Sequence, residues 1–302
     1  MWFRNLQIYR LAPGWDIAPE GLDEQLASNV FRKCGSMEMQ SRGWQPPRGG
    51  DSLVYLQQGQ LLLALGVEQK LLPSAVVNQV AAERIEELEA QQGFSPSRKQ
   101  AREIKERVAE ELLPRAFVRR RTTYVWIDPA RGWLVVDAAS AAKAEEVLEM
   151  LGKSVTDLPL SMLRTQRSPA AAMTEWLVSG EAPAGFTVDR DCELRSPLEE
   201  NATVRYVRHP LDVTEIRAHI EAGKQPTRLA LTWDDRISFI LTDRMEIKRL
   251  AFLDILKEEA ESQAETADEQ FDADFALMTG ELARMLPAVV EALGGEQTAD
   301  GA

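Results

Sequence analysis

Hairpin-like patterns alternate irregularly with helical patterns along this sequence, and this order limits the folds that the chain can adopt. Two pairs of apolar runs, residues 53–56 with 60–65 and residues 122–128 with 133–137, are each joined by a turn that contains glycine, as in many β-hairpins. Helical spacing of apolar residues separates these hairpins, and no strand–helix–strand unit is repeated. We therefore expect an α+β fold of antiparallel hairpins and sheets with flanking helices, rather than a doubly wound parallel sheet.

The remaining patterns extend this expectation along all 302 residues. A chain of this length suits one large domain or several smaller ones. Further strands are predicted at residues 2–11, 158–163, 187–194, 203–207, 228–233, 237–242 and 247–252, further helices at 22–35, 139–151, 168–177, 212–223 and 271–293, and a loop at 44–50. We expect three regions: a central α+β body (1–73 with 122–180), a charged helical hairpin with a basic segment (74–121), and a C-terminal α+β region with an acidic helical tail (181–302).

Residues 74–113 have the pattern of two charged helices. Ser74 is a candidate N-cap for the first helix, residues 93–96 interrupt the pattern, and Pro114 ends the second helix. Both helices have wide polar faces and narrow apolar stripes. This pattern is typical either of a solvated surface hairpin or of a functional arm that projects from the body.

The net charge of −13 is unevenly distributed along the chain. Residues 254–302 hold thirteen acidic and two basic side chains, a net of −11, whereas the preceding 253 residues are close to balance at −2. Within that balanced part, residues 98–121 carry nine basic and four acidic side chains, a net of +5. The low-complexity acidic stretch is confined to residues 258–269. A protein that is acidic overall can therefore still present a basic surface to a nucleic acid.

Several classes of protein are disfavoured by what the sequence lacks. No run approaches the ~18 apolar residues that span a bilayer, and the first residues lack the features of a signal peptide. Cys34 and Cys192 are far apart, which argues against a disulfide framework or a zinc cage and favours the reducing cytoplasm. The sequence contains no phosphate-binding glycine loop, nucleophile elbow or HExxH metal motif. We therefore expect no catalytic residue, no metal site and no cofactor.

Two acidic pairs are the best candidates for the metal site of a nuclease: Asp234 with Asp235, and Asp272 with Asp274. The first pair falls between two predicted strands, where acidic residues commonly form turns. The second pair falls where the last helix begins, where carboxylates interact favourably with the helix dipole. We favour structural roles for all four residues and retain a metal-dependent nuclease as the least favoured alternative.

The strongest positive signal for function is the run that begins at Arg115. It brings Arg115, Arg119, Arg120 and Arg121 together with Phe117. A guanidinium group contacts phosphate with several donors, and an aromatic ring can stack on a base or wedge between base pairs. The run is predicted to lie between a helix end and a strand, where its side chains would share one DNA-binding surface. The alternative is a solvated charged turn with Phe117 in the core.

A second basic and aromatic patch is Arg205-Tyr206-Val207-Arg208-His209. In a strand, alternation would put Arg205 and Arg208 on opposite faces, with Tyr206 on the face of Arg208. Neither patch contains a base-reading signature such as a helix-turn-helix or a zinc finger. We therefore expect Arg205, Arg208 and His209 to contact the DNA backbone, with an affinity that falls with salt and depends little on sequence.

Short motifs in a fixed order along nearly the whole chain carry a family resemblance. They include WFRNL at 2–6, CGS at 34–36, LLPRAF at 112–117, WID at 126–128, TEW at 174–176, HIEAGK at 219–224 and FDADF at 271–275. No single motif states a mechanism, but their order and extent are specific. On these motifs the chain resembles the bacterial recombination-associated RdgC family.

The resemblance implies a fold, a function and partners. It implies a multi-region α+β subunit of a ring-shaped homodimer, whose positively charged hole admits a DNA duplex. Such a protein is cytoplasmic and nucleoid-associated, binds double- and single-stranded DNA without sequence preference, and restrains recombinase filaments indirectly through the shared DNA, without catalytic activity or cofactor. Phe117, Arg208 and His209 would lie near one dimer contact and the path of the DNA. A different class of function remains open: a protein-interaction module whose hairpin, residues 74–113, acts directly on a recombinase.

Overall fold

Twelve β-strands, counted over the described residues of the computed structural model, form one antiparallel sheet, which confirms the expected α+β fold. The structure describes residues 1–15, 17–198, 201–254, 256 and 265–297. The strands are β1 (Leu6–Leu11), β2 (Gln40–Gln45), β3 (Tyr55–Gln57), β4 (Gln60–Leu71), β5 (Phe117–Asp128), β6 (Trp133–Asp137), β7 (Leu160–Met162), β8 (Phe186–Arg195), β9 (Thr203–Tyr206), β10 (Gln225–Trp233), β11 (Ile237–Thr242) and β12 (Ile247–Phe252).

Seven α-helices lie in the same described ranges. They are α1 (Pro19–Leu26), α2 (Ser74–Gln92), α3 (Arg98–Leu112), α4 (Ala141–Ser154), α5 (Pro169–Ser179), α6 (Val213–Glu221) and α7 (Ala267–Ala292), and 3-10 turns follow α1 at Ala27–Asn29 and α3 at Leu113–Arg115. None of these helices is long and apolar enough to cross a membrane. Residues 258–264 of the predicted acidic stretch lie outside the described residues.

The sheet consists of two halves that meet at one residue pair. The strand order is β2-β4-β5-β6-β1-β12-β11-β10-β8-β9, with β3 also paired to β4 and β7 to β1. We call β1–β7 the first half and β8–β12 the second half. Leu6 of β1 lies opposite Ile247 of β12 and joins them.

Helices and a continuous core cover one face of both halves, which we call the α7 face. This core includes Leu6 and Trp126 from the first half, Leu231 and Phe239 from the second half, and Phe275 from α7. Helix α5 packs on β10 and β11, and its residues belong to the same core. Because residues of both halves pack together beneath α7, the sheet is held in one layered unit.

The opposite face is covered over the first half, where α1 and α4 pack on the sheet. This second core includes Leu22, Leu26, Val125, Val147 and Leu151. Within the described chain, no core cluster takes residues from the corresponding side of the second half. We call that uncovered side of β8–β12 the open face. In β10 it presents Arg228, Ala230 and Thr232, which alternate with the core residues Leu229, Leu231 and Trp233.

Two glycines allow the chain that follows α1 to cross the sheet. Gly43 in β2 lies opposite Gly66 in β4, and Phe31 packs against both positions. A Cβ atom on Gly43 would lie 2.6 Å from the Cα atom of Phe31, which is closer than such atoms approach. The Phe31 N–H donates to the Trp44 carbonyl oxygen over 2.7 Å. The absence of two side chains therefore lets one backbone segment rest directly on another.

Three local expectations are wrong. The helix predicted for residues 22–35 ends at Leu26, because the chain beyond the following 3-10 turn is extended along β2. Trp44 and Gln45, predicted to begin a loop, are the end of β2. Ser74 is the first residue of α2 rather than its N-cap. The first two errors have one cause: the hydrogen-bonding partners of these segments are distant in sequence.

Helices α2 and α3 pack against each other as a helical hairpin. Gly93 ends α2 with a left-handed φ of 78°, and Ser97 with Gln100 forms a capping box at the start of α3. The hairpin has its own small core, which includes Val77, Ala81 and Val108. It follows β4 and precedes β5, so these two paired strands connect it to the sheet.

Candidate nucleic-acid interface

The basic run predicted to bind DNA lies mostly in a strand. Arg115 is the last residue of the 3-10 turn after α3, whereas Phe117, Arg119, Arg120 and Arg121 belong to β5. The expectation that the run connects a helix to a strand is therefore wrong from Phe117 onward. The reason is β4, a strand of 12 residues that pairs with β5 and supplies its hydrogen-bonding ladder.

Arg120 is held by a buried carboxylate. It lies opposite Glu68 in the β4–β5 ladder, and its Nε donates to Glu68 Oε2. The Cys34 N–H donates to the other oxygen of the same carboxylate. The hydrogen bond from Cys34, followed by that from Arg120, lowers the pKa of Glu68 below its usual range. The Glu68 charge therefore offsets the charge that Arg120 would offer to a phosphate.

The remaining arginines of the run differ in how they are paired. Arg121 forms an ion pair with Glu146 of α4. Arg115 and Arg119 are exposed, and their side chains make no hydrogen bond or ion pair within the described parts of the chain. Their charges are therefore the ones in this run that are free to meet an anion.

Phe117 lies on the surface beside another exposed apolar side chain. Its side chain is 84% exposed, which contradicts the alternative that it belongs to the core. Leu71 lies directly opposite Phe117 in the ladder, so the two side chains lie on the same face of the sheet. We call Leu71 and Phe117 the apolar patch, and Leu71 is 43% exposed. Contiguous exposed apolar surface is typical of a contact with another macromolecule.

The second predicted patch leaves the sheet at its edge. Arg205 is in β9 on the open face, whereas Tyr206 is buried in the core on the α7 face. The strand ends at Tyr206, so the alternation predicted for Arg208 is wrong. Arg208 has a left-handed φ of 52°, and its N–H donates to Asp191 over 2.6 Å. His209 is exposed, and its ring centre lies 6.0 Å from that of Tyr206.

The two predicted patches are far apart within one chain. In the sheet order β5 is the third strand and β9 is the tenth. The seven intervening strand spacings of ~4.8 Å amount to about 34 Å measured along the sheet. One chain therefore presents two separate basic regions, one at the start of β5 and one on and around the open face.

The open face carries basic residues that the sequence patterns had not singled out. Besides Arg205 and Arg208, the face or its edges carry Arg190, Arg195, Arg228, Lys248 and Arg249. The acidic residues on the same surface are Asp189, Asp191, Glu193 and Glu246. Alternation in β10 contained a signal for Arg228. No such signal existed for Arg190 and Arg249, because the strand pairing is irregular around them.

Glu193 organises the part of the open face that lies next to β9. Its carboxylate accepts hydrogen bonds from Arg205 over 2.6 Å, from Thr227 over 2.9 Å and from Arg195 over 3.2 Å. Burial acts to raise the pKa of Glu193, but the hydrogen bonds from Thr227 and Arg205 outweigh it, so that this pKa lies below its usual range. One buried carboxylate thus holds two arginine side chains side by side on this surface.

Comparison with known proteins assigns the chain to a family. A family model described as "Putative exonuclease, RdgC" matches residues 1–296. The chain belongs to the RdgC family. The resemblance carried by the short motifs is thereby confirmed.

Curated RdgC relatives match over nearly their whole length, and each is called "Recombination-associated protein RdgC". The relative from Dechloromonas aromatica (strain RCB) is 64% identical over 299 residues, which is 98% of each chain. That from Herminiimonas arsenicoxydans is 57% identical over 297 residues, covering 98% of this chain and 99% of the relative. That from Cupriavidus necator is 54% identical over 299 residues, covering 99% and 100%.

The family model is described as an exonuclease, so the four candidate aspartates are the residues to compare with a metal site. Asp272 accepts a hydrogen bond from the Tyr55 hydroxyl over 2.5 Å and forms an ion pair with Arg48 at 2.8 Å. Asp274 forms an ion pair with the amino group of Met1. Both carboxylates therefore already hold α7 against the N-terminal part of the chain, through Tyr55, Arg48 and Met1.

Asp234 and Asp235 form the turn between β10 and β11. Both have left-handed backbones, with φ of 49° and 50°, which agrees with the predicted turn role. Across the described residues of this chain, no group of three or more His, Cys, Asp and Glu residues is placed to hold a metal ion.

Proposed function

We propose that this protein binds double- and single-stranded DNA through the phosphate backbone, without reading base sequence. The observation that carries the proposal is the open face, an uncovered sheet surface with more basic than acidic side chains in a chain whose net charge is −13. A local excess of positive charge attracts a polyanion despite an acidic whole. Basic groups spread over several strands suit phosphates along a backbone, because no single helix or ribbon is offered to the bases of a groove.

The proposed assembly is a ring-shaped homodimer that encloses the DNA. The apolar patch at Leu71 and Phe117 exposes side chains that a second copy would cover. In a two-fold dimer each basic region occurs twice, so the start of β5 in one chain can approach DNA that lies on the open face of the other. A ring retains DNA with modest affinity per contact, because release requires the ring to open or the DNA end to slide out.

The predicted site residues have distinct roles in this proposal. Arg119 and Arg115 contact phosphates at the start of β5, where Arg120 and Arg121 contribute to the electrostatic field. Phe117 lies at the contact between the two chains. The residues of the second patch, Arg205, Arg208 and His209, contact the DNA from the edge of the open face.

A role in recombination follows if this protein occupies DNA that a recombinase would also bind. A protein that covers DNA without sequence preference blocks the phosphates that a recombinase contacts, so recombinase filaments are restrained indirectly. In this proposal the protein is associated with the nucleoid in the cytoplasm. The names of the curated relatives refer to recombination and support the proposed role in that process.

The proposal is tested by fluorescence anisotropy of two unrelated duplexes and one single strand, titrated with protein across a salt series. We expect near-equal affinities for the two duplexes and a steep loss of affinity with salt. The slope estimates the contacts, at about 0.9 per neutralised phosphate on duplex DNA and about 0.7 on a single strand. If no DNA binds at low salt, the proposal is wrong.

The α2–α3 hairpin supports a second candidate, direct contact with a recombinase. The hairpin has its own core and presents wide charged faces, as an arm for a protein partner would. A recombinase assay with saturating DNA separates the two functions. Inhibition that disappears with excess DNA supports occupancy, whereas inhibition that persists supports direct contact.

A nuclease is the third candidate, and the description of the family model supports it. Incubation of supercoiled plasmid with the protein and Mg²⁺ or Mn²⁺ tests it. We expect no nicking. Nicking that is lost in the Asp234→Asn or Asp272→Asn variant would establish a nuclease instead.

A further inference from the structure

Two β-bulges in the second half of the sheet lie beside each other across the central strands β10 and β11. In β8, residues 189–191 lie opposite the single residue Ala230 of β10. In β12, residues 249–250 lie opposite the single residue Phe239 of β11. Ala230 pairs with Ile240, the neighbour of Phe239, so the two bulges flank one point of the sheet. Bulges redirect side chains and are enriched next to functional sites.

Two arginines at these bulges have backbone conformations that residues other than glycine rarely adopt. Arg249 in the β12 bulge has φ of 51°, and Arg208 next to the β8 bulge has φ of 52°. Asp191 holds the second conformation, because its carboxylate accepts the Arg208 N–H over 2.6 Å. Such strained residues cluster at functional sites. Glycine would suit both backbones better, so arginine at these two positions points to a function of the side chain.

The bulges border a groove of about 550 Å³ on the open face. Its lining includes Ala230, Ser238 and Ile240 from the two central strands, and Arg190, Arg208 and Arg249 from the borders. None of the three guanidinium groups makes a hydrogen bond or an ion pair in the described parts of the chain. Like charges that border one groove repel each other until an anion lies among them.

The carboxylates at the groove are engaged with other parts of the protein. Asp191 accepts the Arg208 N–H, and Asp189 accepts the Thr232 hydroxyl over 2.8 Å. Three arginines against two aspartates leave the groove with a positive excess. The Ser238 hydroxyl adds a neutral donor. Guanidinium and hydroxyl donors around a small groove match the oxygens of a phosphate group.

We propose that this groove is a phosphate-binding site in which Arg249, Arg208 and Arg190 surround one phosphate group. The proposal rests on the proposed function in so far as that phosphate belongs to DNA. A free phosphate compound has the same chemistry, and the experiment separates the two sources. If the phosphate belongs to DNA, the groove determines where the backbone crosses β10 and β11.

The variant Arg249→Gly removes one guanidinium group without straining the fold, because glycine adopts a left-handed backbone readily. Its melting temperature should be no lower than that of the wild type. The matched control is Arg164→Ala. Arg164 is exposed, its side chain has no hydrogen bond or ion pair in the described residues, and its carbonyl oxygen accepts the Gln297 N–H beyond the end of α7.

Each protein is measured with duplex DNA across a salt series and with pyrophosphate by isothermal titration calorimetry. For Arg249→Gly we expect about tenfold weaker duplex binding, a salt slope smaller by about 0.9, and loss of pyrophosphate binding. Arg164→Ala should change none of these quantities. A loss confined to DNA supports the groove with DNA as the source. A loss confined to pyrophosphate supports it with a free phosphate compound as the source.

The outcomes that overturn the groove differ from those that overturn the proposed function. If the wild type binds DNA and Arg249→Gly behaves identically with both probes, the groove is refuted and the proposed function stands. If the wild type binds pyrophosphate through Arg249 but no DNA, the groove stands and the proposed function is refuted. If the wild type binds neither probe, both are refuted.

Discussion

Arg120 of β5 and Glu68 of β4 lie directly opposite each other and form an ion pair across the ladder. Arg119, the preceding residue, has no acidic partner within the described chain. Because successive side chains of a strand point to opposite faces, these neighbours meet different surroundings. One short basic run therefore contains an arginine tied to a buried carboxylate and another whose charge is free.

This difference predicts different losses when each arginine is removed. Arg119→Ala should weaken DNA binding and lower the salt slope by about 0.9, with the melting temperature unchanged. Arg120→Ala should lower the melting temperature, because Glu68 loses a donor, and should change the salt slope less. Anisotropy titrations and thermal unfolding of both variants measure these effects. Equal losses of salt slope would show that the pairing with Glu68 does not matter.

The exposure of Phe117 predicts a role between chains rather than within one. Phe117→Ser should shift the protein from dimer to monomer and weaken DNA binding, while the free energy of unfolding of the monomer changes by less than ~0.5 kcal/mol. Sedimentation velocity measures the assembly state. Phe94→Ser is the control, because Phe94 is 63% exposed at the turn between α2 and α3, outside the apolar patch. An unchanged assembly state for Phe117→Ser would remove the apolar patch as the dimer contact.

Because the Phe31 backbone crosses directly over Gly43, adding one methyl group at Gly43 should strongly lower the free energy of unfolding. Gly43→Ala should destabilise the protein by ~2 kcal/mol or more, because the new Cβ atom would meet the Phe31 backbone. Gly152→Ala in α4 is the matched control, since a Cβ atom there meets nothing within 4 Å. It should stabilise the protein by ~0.5–1 kcal/mol. Urea unfolding of both variants gives the two values, and the prediction is wrong if they have the same sign.

The lowered pKa values of Glu68 and Glu193 predict acid sensitivity. A carboxyl group with a lowered folded pKa binds fewer protons when folded, so its contribution to stability is present above its unfolded pKa of ~4.3. That contribution is lost as the pH falls through the folded value. Thermal unfolding should therefore show a fall in melting temperature below about pH 4.5.

The variant Glu193→Gln isolates the contribution of the Glu193 carboxyl group to this acid-dependent loss of stability. It should melt lower than the wild type at pH 7, and the difference should shrink as the pH falls below ~4.3. Glu181→Gln, at an exposed position outside the sheet, serves as the control. A difference between Glu193→Gln and the wild type that stays constant down to pH 3 would mean that the Glu193 charge is not its cause.

Elements with local signals could be predicted closely. Ser168 caps α5 and Gly180 ends it with φ of 76°, close to the predicted bounds of 168–177, because both signals act within one helical turn. Asp212 caps α6 at the predicted start of that helix, and Glu215 accepts a hydrogen bond from the Tyr206 hydroxyl. The division into three regions and the assignment of DNA-binding residues stay predictions.

The α+β class, most of the helices and strands, the family and the two basic runs could be predicted from the amino-acid sequence, because they depend on periodicity, capping residues and short motifs. The folded protein was needed to show that β2 is a strand, that Arg120 is paired while Arg119 is not, and that Arg190 and Arg249 border one groove. The physical reason is the distance along the chain between partners. Strand pairs, ion pairs and bulges depend on residues that meet only when the sheet has formed.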